Sequence, residues 1–188
     1  MVGLLAGSKP TEECQSLSMT VFNMRAFHAA LDEERRARGL SWTQLAAEIN
    51  RPFESTPSIP ISSGTLRDML KKRSVTSAVV LQVLRWLGRT PESFLSGPAR
   101  RFSLEEQMPD AGVDRILRFD TRALYDALQQ ERLRRGLTWQ QVADELPGFT
   151  PSMLTNLANG PLIGFPRVMT LIQWIGRPAA AFVRICSR

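Results

Sequence analysis

The chain repeats itself. Residues 22–49 return at 119–146 with a constant offset: Phe22, Arg25, Leu31, Glu34, Arg35, Arg38, Gly39, Trp42, Gln44, Ala46 and Glu48 meet their like at Phe119, Arg122, Leu128, Glu131, Arg132, Arg135, Gly136, Trp139, Gln141, Ala143 and Glu145. Further on, Leu84-Arg-Trp-Leu-Gly-Arg89 returns as Ile172-Gln-Trp-Ile-Gly-Arg177. Self-similarity over such a length marks a duplicated folding unit, and it restricts the chain to folds built twice from the same parts. The 188 residues therefore divide into two small units rather than one domain of ordinary size.

The expected organisation is a flexible tail over 1–18, a first unit over 19–97, a linker over 98–115 and a second unit over 116–188. Ser96 to Arg115 contains Gly97-Pro98, Pro109 and Gly112, which suits a linker. Charge follows the same division. Residues 19–98 carry 11 basic and 7 acidic side chains, and residues 116–188 carry 9 and 5, so each unit is +4 within a chain of net +6. Basic units joined by slightly acidic segments fit a polyanionic partner. Ordinary surface charge kept for solubility gives the same count.

Each unit reads as a series of short amphipathic helices. Phe22 to Arg38 is the first, with Phe27, Ala30 and Leu31 at i, i+3, i+4 spacing and Gly39 at its end. Ser41-Trp-Thr-Gln44 and Thr138-Trp-Gln-Gln141 have capping-box spacing and open the second helix. Leu45, Ala46 and Ile49 are its core face, and Val142, Ala143 and Leu146 those of its copy. The third helix is capped by Ser62 or Ser63 in one copy and by Thr150 in the other, followed by Pro151 in the first turn. A fourth runs through Val79, Val80, Val83, Leu84 and Leu87, matched by Val168, Leu171, Ile172 and Ile175. Thr90-Pro91-Glu92 signals a short fifth helix carrying Phe94 and Leu95, with Pro178 to Val183 as its copy. Neither unit offers a run of alternating β-branched residues, so no sheet is expected.

The ordered series resembles the lambda-repressor-like helix-turn-helix family, the Xre or Cro/C1 type. The residues that carry the resemblance are a helix, Leu40-Ser-Trp-Thr-Gln-Leu-Ala46 or Leu137-Thr-Trp-Gln-Gln-Val-Ala143, a turn, and a capped helix with two leucines three residues apart (Leu154 and Leu157). It spans about 75 residues in each copy. It implies an all-α chain of two tandem five-helix domains. It also implies sequence-dependent binding of double-stranded DNA and hence transcriptional regulation, in the cytoplasm and on the nucleoid. In this family the third helix enters the major groove with its N-terminal half against base edges.

Carried over position by position, the resemblance places the recognition helices near 62–72 and 150–159. The DNA-facing residues are then Ser63, Gly64, Thr65, Arg67 and Asp68 in the first copy, and Ser152, Met153, Thr155 and Asn156 in the second. Arg67 suits guanine, Asn156 adenine and Met153 a thymine methyl. Lys71, Lys72 and Arg73 follow the first recognition helix and suit phosphates.

The chain also departs from the family pattern. Trp42 to Trp139 is 97 residues and Trp86 to Trp174 is 88, so the first copy holds nine extra residues, in the long loop 50–61. Three prolines there predict a stiff, extended segment. Trp42 and Trp139 stand where the family often places Gln. Residues 136–166 contain no Lys or Arg, but do contain Asp144 and Glu145.

Two cysteines far apart, Cys14 and Cys186, make neither a disulfide framework nor a metal knuckle. One histidine, no paired cysteines and no phosphate loop assemble no catalytic constellation, so no enzyme activity, metal or cofactor is expected. Apolar runs are too short for a membrane span. The duplication leaves open a homodimer or an intramolecular pseudo-dimer. The competing reading is a helix-turn-helix fold serving protein interaction or oligomerisation, with little DNA binding.

Overall fold

The computed structural model describes residues 20–54, 59–96, 107–112, 115–159 and 163–186. The tail over 1–18, most of the 98–115 linker and the middle of the 50–61 loop lie outside the described residues. Within them the chain is mostly helical, with eight α-helices and two small sheets.

The first repeat contains α1 (Met24–Ala37), α2 (Trp42–Asn50), α3 (Ser63–Arg67) and α4 (Ser77–Leu87). The second contains α5 (Thr121–Arg134), α6 (Trp139–Glu145), α7 (Pro151–Thr155) and α8 (Phe165–Ile175). Polar caps start the first three helices of each repeat. Asn23 and Asp120 accept from the backbone of Ala26 and Ala123, each at 3.0 Å. Ser41 with Gln44, and Thr138 with Gln141, form complete capping boxes. Ser62 and Thr150 cap the third helices. The fourth helices end at Gly88 (φ 63°) and Gly176 (φ 75°), left-handed positions that favour glycine.

Three expectations are corrected here. The third helices are short: each is one α-turn followed by a 3-10 turn, Met69–Lys71 in the first copy and Leu157–Asn159 in the second. The fifth helices are single 3-10 turns, Pro91–Phe94 and Ala179–Phe182. Sheets also form. Strand β1 (Val21–Phe22) pairs antiparallel with β2 (Leu95–Ser96), and β3 (Ile116–Phe119) with β4 (Val183–Cys186), in the register Val21↔Ser96 and Ile116↔Cys186. Each sheet fastens the entry of its repeat to the exit. Asn23 N–H and Asp120 N–H extend the closure onto the carbonyls of Phe94 and Phe182, both at 2.8 Å. Strands of two to four residues carry too little alternation to be seen locally, and their partners lie more than 60 residues away.

The two repeats share one hydrophobic cluster. Strand β3 lies against α4 of the first repeat, β1 against α8 of the second, and α4 touches α8. The exchange is reciprocal. Gln82 on α4 donates its amide to the Leu117 carbonyl at 2.9 Å, and Gln173 on α8 donates to the Thr20 carbonyl at 2.7 Å. Leu117 and Thr20 are equivalent positions of the two copies. Both glutamines are buried. Phe22 meets Phe165 edge-on at 5.0 Å, and Phe165 N–H donates to the Val75 carbonyl. Glu92 accepts from the backbone of Ala179 at 2.7 Å. Of the segment expected as linker, Ala111 is buried and Gly112 accepts from Arg85.

A buried carbonyl deprived of its donor costs about 1–3 kcal/mol. Gln82→Leu and Gln173→Leu keep the volume and remove the donor. Each is expected to lower stability by about that amount, read as a fall in denaturant midpoint with an unchanged slope. The substitution Gln130→Leu, at an exposed position of α5, serves as the reference, and equal midpoints for all three would contradict the reciprocal packing.

Candidate nucleic-acid interface

The sequence places α3 and its 3-10 extension on a foundation of apolar side chains. Leu66 and Met69 are fully buried beneath it. The Ser62 cap also holds the Thr65 hydroxyl at 2.9 Å. Ser63, Gly64 and Thr65 are half-buried, and Asp68 is half-buried beside them. Arg67, Lys71, Lys72 and Arg73 are exposed.

The cations are not all equally available. Arg67 donates through Nε and Nη2 to Asp68 Oδ2, at 3.1 and 2.8 Å. Lys71 Nζ donates to Asp68 Oδ1 at 2.8 Å. One carboxylate therefore restrains two cations of the candidate surface. Their hydrogen bonds hold the Asp68 carboxyl down at about 2 against an ordinary 3.8. Lys72 and Arg73 form no ion pair among the described residues.

His28, the one histidine, has a contact that the sequence did not reveal. Its Nε2 lies 3.1 Å from the Arg67 carbonyl, as donor in the tautomer protonated there. Its ring stacks on Trp42 at 5.7 Å, and the Arg35 guanidinium lies 4.6 Å from the Trp42 ring. The second repeat builds the same stack from Tyr125, Trp139 and Arg132. Trp42 and Trp139 are thus framework for the second helix, at positions where the resembled family often has Gln. The alignment of His28 with Tyr125, two rings at one repeat position, was the available signal. Trp86 and Trp174 are framework as well. Their indole N–H groups donate to Glu48 and Glu145 at 2.8 and 2.7 Å, and Arg38 and Arg135 lie over their rings.

The second copy has a different surface. Ser152, Thr155 and Asn156 are exposed and Met153 is half-buried. Thr155 donates to the Ser152 carbonyl and Asn156 to the Ser152 hydroxyl, both at 3.2 Å, so the polar groups partly satisfy one another. On neighbouring α6, Gln140 donates to Asp144. No cation lies on α6 or α7.

The described start of the first copy's long loop is turned rather than extended as its prolines predict. It opens with a 3-10 turn, Arg51–Phe53, that buries Pro52 and Phe53. The Asn50 amide clamps its far end, donating to the Ile61 carbonyl at 2.7 Å and accepting from Ile61 N–H at 2.8 Å. This side chain pairs like a strand residue and keeps the start of α3 adjacent to the end of α2.

The two third-helix segments border one cleft of about 640 Å³ between the repeats, with Met69, Leu70, Lys72 and Arg73 from the first and Met153 and Arg167 from the second among its walls. Among the described residues, no group of three or more His, Cys, Asp or Glu side chains could hold a metal ion, and no helix is long and apolar enough to cross a membrane.

Because the Asp68 pKa is lowered in the folded protein, its ion pairs favour the fold at pH above 3.8, and this contribution is lost as pH falls towards 2. A carboxyl NMR titration is expected to place the Asp68 midpoint near 2, and that of the Arg67→Ala/Lys71→Ala variant near 3.8. Coincident midpoints would mean that the triad does not form.

Comparison with protein-family models, curated proteins and solved structures returns no match to this chain.

Proposed function

We propose that this chain binds double-stranded DNA through the first repeat and acts as a transcriptional regulator at the nucleoid. Each repeat is read as a lambda-repressor-like helix-turn-helix unit, and the two form an intramolecular pseudo-dimer. One observation carries the reading. A capped third helix stands on a buried apolar base, and the cations Arg67, Lys71, Lys72 and Arg73 are exposed along its outer side and end. Ser63, Gly64 and Thr65 at its N-terminal turn face the base edges, with Arg67 as the guanine reader. Lys71, Lys72 and Arg73 neutralise phosphates. Asp68 holds Arg67 and Lys71 in place between encounters, and DNA takes them over.

The second repeat acts chiefly as a scaffold in this proposal. Its third helix lacks cations, so Ser152, Met153, Thr155 and Asn156 add contacts only where the first repeat has already docked. Half-sites one duplex turn apart require recognition helices separated by roughly 34 Å. Two segments that border a single cleft favour one compact site, and its unlike halves favour an asymmetric sequence.

A protein-facing module is the second reading, and Leu70 and Ile59, 47% and 90% exposed beside α3, favour it. Salt separates the two. On the DNA reading, affinity falls steeply with salt, by about 0.9 in log–log slope for each phosphate contact. Arg67→Ala/Lys71→Ala/Lys72→Ala is expected to flatten that slope by about 2–3 and to weaken retention on a duplex selected from a random pool. Asp68→Asn frees two cations and is expected to tighten binding at low salt. Fluorescence anisotropy on the labelled duplex measures both. Binding indifferent to salt and to these changes would favour the protein-facing module.

A further inference from the structure

The cleft between the repeats has a composition that a nucleic acid does not use. Its apolar walls come from Met24, Met69, Leu70, Val75, Met153 and Ile163, and its cations are Lys72, Arg73 and Arg167. Among the described residues, no acidic side chain lines it. A volume of about 640 Å³ lies within the range of small-molecule sites, and mostly apolar walls with a few convergent polar groups are their usual make-up. Phosphates seated on the three cations would leave the methionine-rich walls facing water. Three thioethers instead suit a flexible hydrocarbon, because methionine repacks around an irregular partner. Cations without carboxylate partners among the described residues suit a single anionic head.

From this juxtaposition we propose that the cleft is a binding site for a free long-chain carboxylate. The chain lies among Met24, Met69, Met153 and Ile163, and the carboxylate meets Lys72, Arg73 and Arg167. Binding spans the two repeats: Met69 and Leu70 belong to the extension of α3, Met153 to α7, and Arg167 to α8. The ligand thereby fixes the end of α3 against the second repeat. It also occupies Lys72 and Arg73, which the DNA reading assigns to phosphates. The site stands on the cleft alone, but the competition with DNA rests on that reading.

The test is isothermal titration calorimetry of the full chain with sodium dodecanoate below its micelle-forming concentration, without DNA. A saturable one-to-one isotherm is expected. Butanoate, with the same head and no chain, is expected to give no heat of binding. Lys72→Ala/Arg73→Ala/Arg167→Ala is expected to weaken dodecanoate by roughly tenfold or more, as loss of charge-assisted partners does. Leu70→Glu and Met153→Glu place charge in the walls at partly exposed positions and are expected to abolish binding while the circular dichroism and melting curve stay near those of the parent chain. Flotation with phosphatidylglycerol vesicles is the parallel arm. Vesicle binding without a dodecanoate isotherm would overturn the proposal in favour of a lipid surface. So would no dodecanoate isotherm at all, or an affinity unchanged by both sets of variants. Since no DNA is present, these outcomes are independent of those that decide the DNA reading.

Discussion

The short strand that enters each repeat lies on the fourth helix of the other, and the remaining architecture depends on that exchange. A glutamine amide from α4 meets the carbonyl of Leu117, and one from α8 meets that of Thr20. Strands as short as β1 and β3 leave backbone groups that one antiparallel partner does not satisfy, and buried carbonyls need donors. Each repeat supplies the donor that the other lacks. The apolar layer between them, with Phe22 against Phe165, joins two small cores into one. Small domains bury a low fraction of their surface, and fusing two raises it.

The exchange also decides what stands on the surface. Seating α4 and α8 against each other brings the ends of the third helices to one cleft. The two copies have diverged there. The third helix of the first keeps a cationic end and a long clamped loop before it, and that of the second keeps amide and hydroxyl groups without cations. Duplication preserved the internal supports, such as the Arg–Trp–Glu contacts around Trp86 and Trp174, because these hold each helix layer together. The outward faces of the third helices differ position by position. This asymmetry is why the proposed contact with DNA is assigned to one repeat.

Much of this organisation was legible in the sequence because it is local. Helix starts were read from Ser41, Thr138 and Thr150, which do cap their helices, and helix ends from Gly88 and Gly176. Leu31, Leu45, Ile49, Val142 and Leu146 were placed inside by spacing and are buried. What escaped was non-local. The strands are too short to show a period, and their hydrogen bonds join residues at opposite ends of a repeat. Gln82 and Gln173 read as polar positions on apolar helices, and only the partner repeat explains them. Pro91 and Pro178 signalled fifth helices, but the backbone makes one tight turn at each and then pairs as a strand. Among the candidate contact residues, Arg67, Lys71, Lys72 and Arg73 were placed outward by the family resemblance and are exposed. The capture of Arg67 and Lys71 by Asp68 depends on rotamers, and the His28 contact depends on tertiary packing.

Two unlike third helices border one cleft, positioned by the reciprocal packing of the repeats. Spin labels at Lys71 and Ser152, both exposed, with the native cysteines replaced, measure that separation directly by pulsed electron resonance. A single narrow distribution well short of roughly 34 Å, one duplex turn, is the expected result. A separation near or beyond that length, or a broad spread typical of independently tumbling halves, would contradict it.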